Sequence, residues 1–361
     1  MAGNSNLNDS ARNKQDEFYT QLSLVESELK HYRPHFKGKT VLCNCDDPYE
    51  SNFFKYFAMN FNALGLKKLI TTCFATSPVT GKEFQYFVDN GGQLSFIPND
   101  TPVKAENKKR PYKVEITEVT DENGDGRIDL ADVEFLMRNK KNTMTLLDGD
   151  GDFRSPECVE LLKEADIVVT NPPFSLFRDY VALLMKYNKQ FLIIGNLNAV
   201  KYKEILPLFM TDKIWLGCNS GHYWFKVPDS YEEKKTDFKI DENGQKWRRM
   251  GNICWYTNLD TERRHEDMTL FRQYDPLKYP KYDNYDAIEV SKTADIPCDY
   301  YGVIGVPITF MTKHNPEQFS IVGVLNSGSA NKYDFAKAVL NGKQLYARIL
   351  IQRKQVNTNE N

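Results

Sequence analysis

Two apolar rhythms alternate along the first two thirds of the chain. Short runs without a polar break, "KTVLCNC", "KKLITTCF", "DIVV", "FLIIGN" and "KIWLG", are separated by segments whose apolar positions recur every three or four residues. The second kind comprises "ESNFFKYFAMNFNALG", "SPECVELLKEA", "LFRDYVALLMKY" and "YKEILPLFM", with "DEFYTQLSLVESELKHY" ahead of the first strand. A brief apolar run reads as a strand buried on both faces, and a period near 3.6 reads as an amphipathic helix. Strands alternating with helices predict a parallel sheet with crossover helices, so the expected class is a doubly wound, mostly parallel α/β fold. Local signals agree: Gly65 stands where the first crossover helix should end, and Ser155 stands where the "PECVELLKEA" helix should begin.

The rhythm breaks twice. Between roughly residues 99 and 142 a hydrophilic insertion interrupts it, although "RPYKVEITEVT" inside that stretch alternates like a strand. Beyond Gly217 the helical period stops, and aromatic strands follow in "YWFKV", "ICWYTNL" and "GVIGVPITFM". The expected organisation is a polar, disordered tail over 1–13, an α/β body over 14–260 containing the insertion, and a mixed α+β module over 261–361.

Composition narrows the class. With 41% hydrophobic and 27% charged residues and a formal net charge of −2, the chain is an ordinary globular protein and not a wholly basic nucleic-acid binder. Lys332, Lys337, Lys343, Arg348, Arg353 and Lys354 nevertheless share the stretch 332–354 with a single acid, Asp334, a local bias compatible with phosphate contact. The seven cysteines include no C-x-x-C pair, which argues against a disulfide framework or a zinc site. The polar N-terminus and the lack of a bilayer-length apolar run predict a cytoplasmic protein.

The most informative stretch is "DIVVTNPPF", residues 166–174. Two prolines remove two backbone donors and fix φ, so the strand must stop at Asn171. Open α/β sheets bind ligands just beyond the carboxyl ends of their strands. An exocyclic amine on a nucleobase is a weak nucleophile, because its lone pair is delocalised into the ring. The Asn171 side-chain oxygen and the Pro172 carbonyl are two acceptors, each able to take one N–H of such an amine. Pro173 stiffens the turn, and Phe174 offers a face for the base to stack on. The plainer reading is a strand-to-helix turn in which Asn171 caps the next helix.

Further segments occur in order around this motif: "KQDEFYTQ", "VLCNCDDPYESNF", "GDGDFRSPE", then "GNICWYTNL" and "VPITF". Together with "DIVVTNPPF" they resemble the EcoRI-type family of adenine-N6 DNA methyltransferases, from Lys14 to about residue 325. That resemblance implies a seven-stranded Rossmann-like sheet, S-adenosylmethionine as methyl donor and a C-terminal target-recognition module. It implies methylation of an adenine flipped out of duplex DNA, by a monomer working alone or beside a restriction endonuclease of the same site. By position it assigns Phe18, Tyr19 and Thr20, the loop residues Cys45, Asp46 and Ser51, and Asp152 with Phe153 to the cofactor. Asp152 would accept from the cofactor's adenine amine, Phe153 would pack on that ring, and Asn171 with Pro172, Pro173 and Phe174 would form the catalytic motif. RNA bases or protein glutamine amides as substrates, and an inactive DNA-binding scaffold, are the alternatives.

This chain departs from the pattern in its first loop. "CDDPYESNF" contains no glycine, so a close backbone approach to the cofactor is replaced by polar side chains such as Asp46 and Ser51. Strand 2 ends in "TTCFATSP" without an acid for the ribose hydroxyls. Inside the insertion, "DENGDGRIDLAD" fits a calcium loop, with Asp121, Asn123, Asp125, Arg127 (through its carbonyl), Asp129 and Asp132 at ligand positions and Gly126 at the turn. A structural Ca2+ is the expectation there, against a solvated Asn-Gly-Asp-Gly turn. Arg248-Arg249 and Arg263-Arg264 are candidates for phosphate contact.

Overall fold

In a computed structural model, the structure describes residues 20–45, 51–72, 86–88, 94–96, 111–121, 124, 128, 143–227, 231–327 and 332–355. The chain groups into two compact units, one of residues 1–195 with 221–255 and the other of 196–220 with 256–361. No helix among the described residues is long and apolar enough to cross a membrane.

The first unit is mixed α/β. It opens with helix α1 (Leu22–Leu29), which precedes strand β1 (Thr40–Cys43). Helices α2 (Asn52–Met59) and α3 (Phe61–Leu64) lead to β2 (Lys68–Thr72). Gly65 closes α3 with φ +62°, a left-handed conformation that only glycine adopts without steric cost. A two-stranded hairpin, β3 (Tyr86–Val88) and β4 (Leu94–Phe96), precedes β5 (Tyr112–Ile116) and β6 (Thr143–Leu146). Helix α4 (Pro156–Glu164) follows, its Ser155 Oγ accepting from the Cys158 N–H at 3.3 Å, and leads to β7 (Ile167–Thr170). Such a cap contributes about 1 kcal/mol. Helix α5 (Phe177–Lys186) then leads to β8 (Gln190–Asn196). Strands β9 (Trp215–Lys226), β10 (Phe238–Ile240) and β11 (Lys246–Thr257) complete the sheet.

These strands form one nine-stranded sheet in the order β10-β11-β8-β7-β1-β2-β5-β6, with β9 pairing β11. Its centre, β8-β7-β1-β2, is parallel, as alternating strands and helices require. β5 and β6 run antiparallel beside it. The sheet is therefore large and mixed, and its parallel part is four strands wide.

Strand β5 lies within the stretch read as a hydrophilic insertion, and it pairs into the main sheet beside β2. Val114 and Ile116 are fully buried, while the alternate residues Lys113 and Glu115 meet at 3.0 Å and Glu115 takes Lys68 Nζ at 2.5 Å. The alternation that marked a strand thus supplies one apolar face to the core and one charged face to the neighbouring strand. Strand β9 likewise replaces two expected strands, "KIWLG" and "YWFKV", with one of 12 residues.

The core is almost entirely apolar. Val41, Leu42, Ile167, Val168, Val169, Leu192 and Ile193 on the parallel strands are fully buried. Phe53 of α2 meets Trp255 edge-to-face at 5.9 Å, and Phe36 meets Phe57 at 5.2 Å. At the start of β7 the Asp166 carboxylate accepts from the Thr40 N–H at 2.8 Å while its own N–H donates to the Thr40 carbonyl at 2.9 Å. That exchange pins the register of β7 against β1.

The second unit holds helix α6 (Leu206–Met210) and a five-stranded sheet. Its strands are β12 (Ile288–Glu289), β13 (Val303–Pro307), β14 (Phe319–Leu325), β15 (Asp334–Ala336) and β18 (Arg348–Arg353), in the order β12-β13-β18-β14-β15. A small hairpin of β16 (Val339–Leu340) and β17 (Lys343–Gln344) lies between β15 and β18 in the chain. Within this unit the Glu289 carboxylate is buried and takes two nitrogens of Arg348, the Ser291 hydroxyl and the Tyr282 hydroxyl.

Candidate active site

Register places the candidate residues at one edge of the parallel strands. Leu42 pairs with Val168, so Cys45 stands three positions beyond Leu42 as Asn171 stands three beyond Val168. Cys43 pairs with Thr71 and Thr170 with Ile193, which brings the ends of β2 and β8 to the same edge. This is the carboxyl edge, where open α/β sheets bind their ligands.

Asn171 is 8% exposed, Pro172 is buried, and Pro173 and Phe174 are half-buried. The chain turns through a 3-10 segment, Phe174–Leu176, before α5 begins. Pro173 precedes that segment and Leu176 precedes α5, with no side-chain cap at either, so Asn171 is not a helix cap. The strand-to-helix-cap reading is thereby set aside.

A residue of the "VLCNCDDPYESNF" segment to which the sequence assigns no role anchors the neighbouring strand end. Asn44 follows β1 and is buried; its Oδ1 accepts from the buried Tyr180 hydroxyl and from the Cys45 thiol at 3.7 Å. The Thr72 hydroxyl donates to the Asn44 carbonyl at 3.5 Å, tying in the end of β2. Burial pushes the Tyr180 phenol well above its ordinary value, so it remains a donor. Phe153 packs edge-on against the Tyr180 ring at 4.9 Å, joining "GDF" to this cluster. An Asn directly behind an apolar strand was the one available sequence signal for Asn44; Tyr180 sits in a helix and gave none.

The other assigned residues divide by what their polar atoms do. Asp152 binds Arg154 in a paired arrangement, at 2.9 Å to Nε and 2.6 Å to an Nη, and the hydrogen bond from that guanidinium holds its carboxyl below the usual range. Ser51 is buried and caps α2, its Oγ accepting from the Phe53 and Phe54 N–H groups at 3.1 and 3.2 Å. Thr20 is 3% exposed; its carbonyl accepts from Asn52 Nδ2 at 2.7 Å, and its buried Oγ1 has no hydrogen-bond partner among the described residues. The next residue, Gln21, lines a cavity of about 180 Å³ with Ser23, Leu24, Ser27, Tyr223 and Trp224. Phe18, Tyr19 and Asp46 lie outside the described residues.

The arginine pairs are occupied locally. Arg264 stacks on Trp215 at 3.7 Å and binds Asp212 and Asp260, Arg263 donates to the Cys218 carbonyl, and Arg248 donates to the Asp237 carbonyl at 3.1 Å. In the calcium-type loop, Asp121 Oδ1 accepts from the Gly124 N–H at 2.7 Å, an ordinary turn contact. Asn123, Asp125, Arg127, Asp129 and Asp132 lie outside the described residues, and no metal-holding group of His, Cys, Asp or Glu occurs among those described. The Ca2+ expectation gains no support.

A family model described as "Adenine-specific methyltransferase EcoRI" matches residues 6–354. The chain belongs to that family. It is 45% identical to the type II methyltransferase M.EcoRI of Escherichia coli, over 98% of both chains. It is 34% identical to the type II methyltransferase M.MpnI of Mycoplasma pneumoniae, covering 97% of this chain and 98% of that one. M.MgeORF184P of Mycoplasma genitalium is 33% identical, covering 97% and 99%. No solved structure matches.

Membership makes the chain an adenine-specific DNA methyltransferase of restriction-modification type, and it makes S-adenosylmethionine the methyl donor. The residues present suit such a donor. The buried Thr20 Oγ1 has a hydrogen-bonding position to fill, and Asp152 is an ionised acceptor fixed in orientation by Arg154.

Proposed function

We propose that this methyltransferase modifies N6 of an adenine flipped out of duplex DNA, with Asn171 and Pro172 as the pair that holds the reacting amine. What supports the reading is the placement of Asn171 and Pro172, buried where β7 stops and level by register with Cys45 behind β1.

Bound S-adenosylmethionine supplies an electrophilic methyl carbon on a sulfonium sulfur. Thr20, Cys45, Asp46, Asp152 and Phe153 would hold it, with Phe18 and Tyr19 completing the site, on a seven-stranded Rossmann-like arrangement of the sheet. Ser51 acts through α2, because its oxygen is already committed to that helix start. The Asn171 oxygen and the Pro172 carbonyl each accept one amine N–H, which lessens delocalisation of the nitrogen lone pair into the ring and aims it for attack. Pro172 has no N–H to compete, and its fixed φ keeps the carbonyl aimed without reorganisation. Phe174 stacks on the base. No strong general base is required, since the amine sheds a proton to solvent after it has been alkylated. Orientation carries the rate, on the order of 7 kcal/mol where alignment is good.

The second unit, with the module 261–361, would read the target site, and the chain would act as a monomer alongside an endonuclease of the same specificity. Asn171→Ala tests the mechanism with duplex DNA and a methyl-labelled donor, followed by sequencing of modified bases. Transfer should disappear while donor affinity stays near wild type; turnover that survives the substitution removes Asn171 from the chemistry. RNA and protein offered in parallel should remain unlabelled.

A further inference from the structure

One side chain in the second unit is held out into solvent by a backbone that is fixed on both sides of it. Tyr346 is 91% exposed. Just before it, Asn341 and Gly342 turn the β16–β17 hairpin with φ of +50° and +72°, the tight turn that an Asn-Gly pair favours. The Asp283 carboxylate accepts from both turn N–H groups, at 2.9 and 2.7 Å, and the Leu345 N–H donates to the Ala338 carbonyl at 2.8 Å. Leu345 packs on a cluster of Tyr282, Ala287, Leu325, Ala338 and Leu350. Just after Tyr346, Arg348 donates to the Tyr346 carbonyl at 3.0 Å while its other nitrogens grip the buried Glu289. These braces belong to the fold of the unit, while the ring they hold in place itself buries almost nothing.

The side chains this turn presents include exposed lysines, while its own carboxylate, Asp283, is engaged on the turn N–H groups. Lys343 lies on the hairpin itself and Lys337 stands next to Ala338, whose carbonyl takes the Leu345 N–H; both are exposed, and the only acid from 332 to 354, Asp334, is buried and accepts from Asn326 N–H, Ser327 N–H and the Ser327 hydroxyl. Nearby acids are spent: Asp283 on the turn itself, Asp286 on Lys281 at 2.7 Å. A preordered aromatic face beside exposed lysines fits a partner that is polyanionic and offers flat rings.

We infer that the 341–348 turn is a DNA-contact element in which Tyr346 stacks on a base or sugar face and Lys343 meets a phosphate. The inference rests on the reading of duplex DNA as the substrate, and the test separates the two. Full-length wild type, Tyr346→Ala, Tyr346→Phe and Lys343→Ala are titrated against a labelled DNA duplex carrying the methylation site, by anisotropy over a salt series. Tyr346→Ala should weaken binding about tenfold, as loss of one stacked ring does. Tyr346→Phe should bind like wild type, and Lys343→Ala should lower the slope of log affinity against log salt by about one. All three should melt like wild type and bind S-adenosylmethionine equally well. If wild type binds and methylates the duplex and Tyr346→Ala binds it equally well, the turn is not a DNA contact, and a protein partner becomes its occupant. A Phe variant as weak as the Ala variant overturns the stacking role. If wild type itself neither binds nor methylates duplex DNA, the substrate reading falls and takes this inference with it.

Discussion

The hydroxyl of Tyr180, on α5, donates to the side-chain oxygen of Asn44, at the end of β1. The two residues are 136 apart in sequence and both buried, and Phe153 leans on the same tyrosine ring. The bond fixes which way the Asn44 amide faces, so its nitrogen points away from Tyr180 as a donor.

Tyr180→Phe keeps the ring and its contact with Phe153 but removes the donor. Loss of a buried hydrogen bond that leaves an acceptor unsatisfied costs about 1–3 kcal/mol. We expect a fall of that size in chemical denaturation, and weaker S-adenosylmethionine binding by calorimetry. Unchanged donor affinity would make the Asn44–Tyr180 bond purely structural.

Pro172→Ala restores a backbone N–H and frees φ at the position whose carbonyl is assigned to the amine. Turnover should fall about tenfold while KM for DNA stays within about twofold, the pattern for an interaction made in the transition state. A rise in KM with turnover intact would contradict that role.

Asp152 is held below the ordinary carboxylate range by the Arg154 hydrogen bond. A depressed folded value means the bond's contribution is present above the unfolded pKa, near 3.9, and is lost as pH falls through the lower folded value. In Arg154→Ala the Asp152 titration should move upward in a carboxyl-carbon NMR titration. Donor affinity in the variant should then fail at a higher pH than in wild type, if Asp152 accepts from the donor only when ionised.

Gly305→Ala should destabilise the second unit. A Cβ there would stand 2.1 Å from the Tyr282 hydroxyl and 2.7 Å from two ring carbons, so the ring must move off its contact with Glu289. Overpacking and a broken buried hydrogen bond each cost about 1–3 kcal/mol. Urea denaturation should show a loss of at least about 2 kcal/mol; a wild-type midpoint would mean the ring has room to shift.

The strand-helix alternation was legible because each element carries its own period and end signals. Thr40–Cys43 and Lys68–Thr72 fall inside the apolar runs that announced them, Ile167–Thr170 and Gln190–Asn196 overrun theirs by one residue, and Gly65 and Ser155 stand at the helix ends their chemistry implies. Tyr112–Ile116 was legible as a strand but not as a member of the main sheet, since alternation reveals a buried face without naming the neighbour. Ser51 was assigned by position to the cofactor loop, and what the fold gives it is a helix cap.

From the residues alone came the α/β class, the strand that must end at Asn171, the acceptor pair formed with Pro172, and a motif series specific enough to indicate the family. Those properties are local: proline geometry, side-chain acceptors and hydrophobic period act within a few residues. Tertiary structure decided the rest: the joining of Asn44 to Tyr180, the grouping of 196–220 with 256–361, and the brace of Arg348 on Glu289 that leaves Tyr346 exposed. Each depends on pairing register and packing between segments distant in sequence, where many partners satisfy the same local pattern and only the assembled core selects among them.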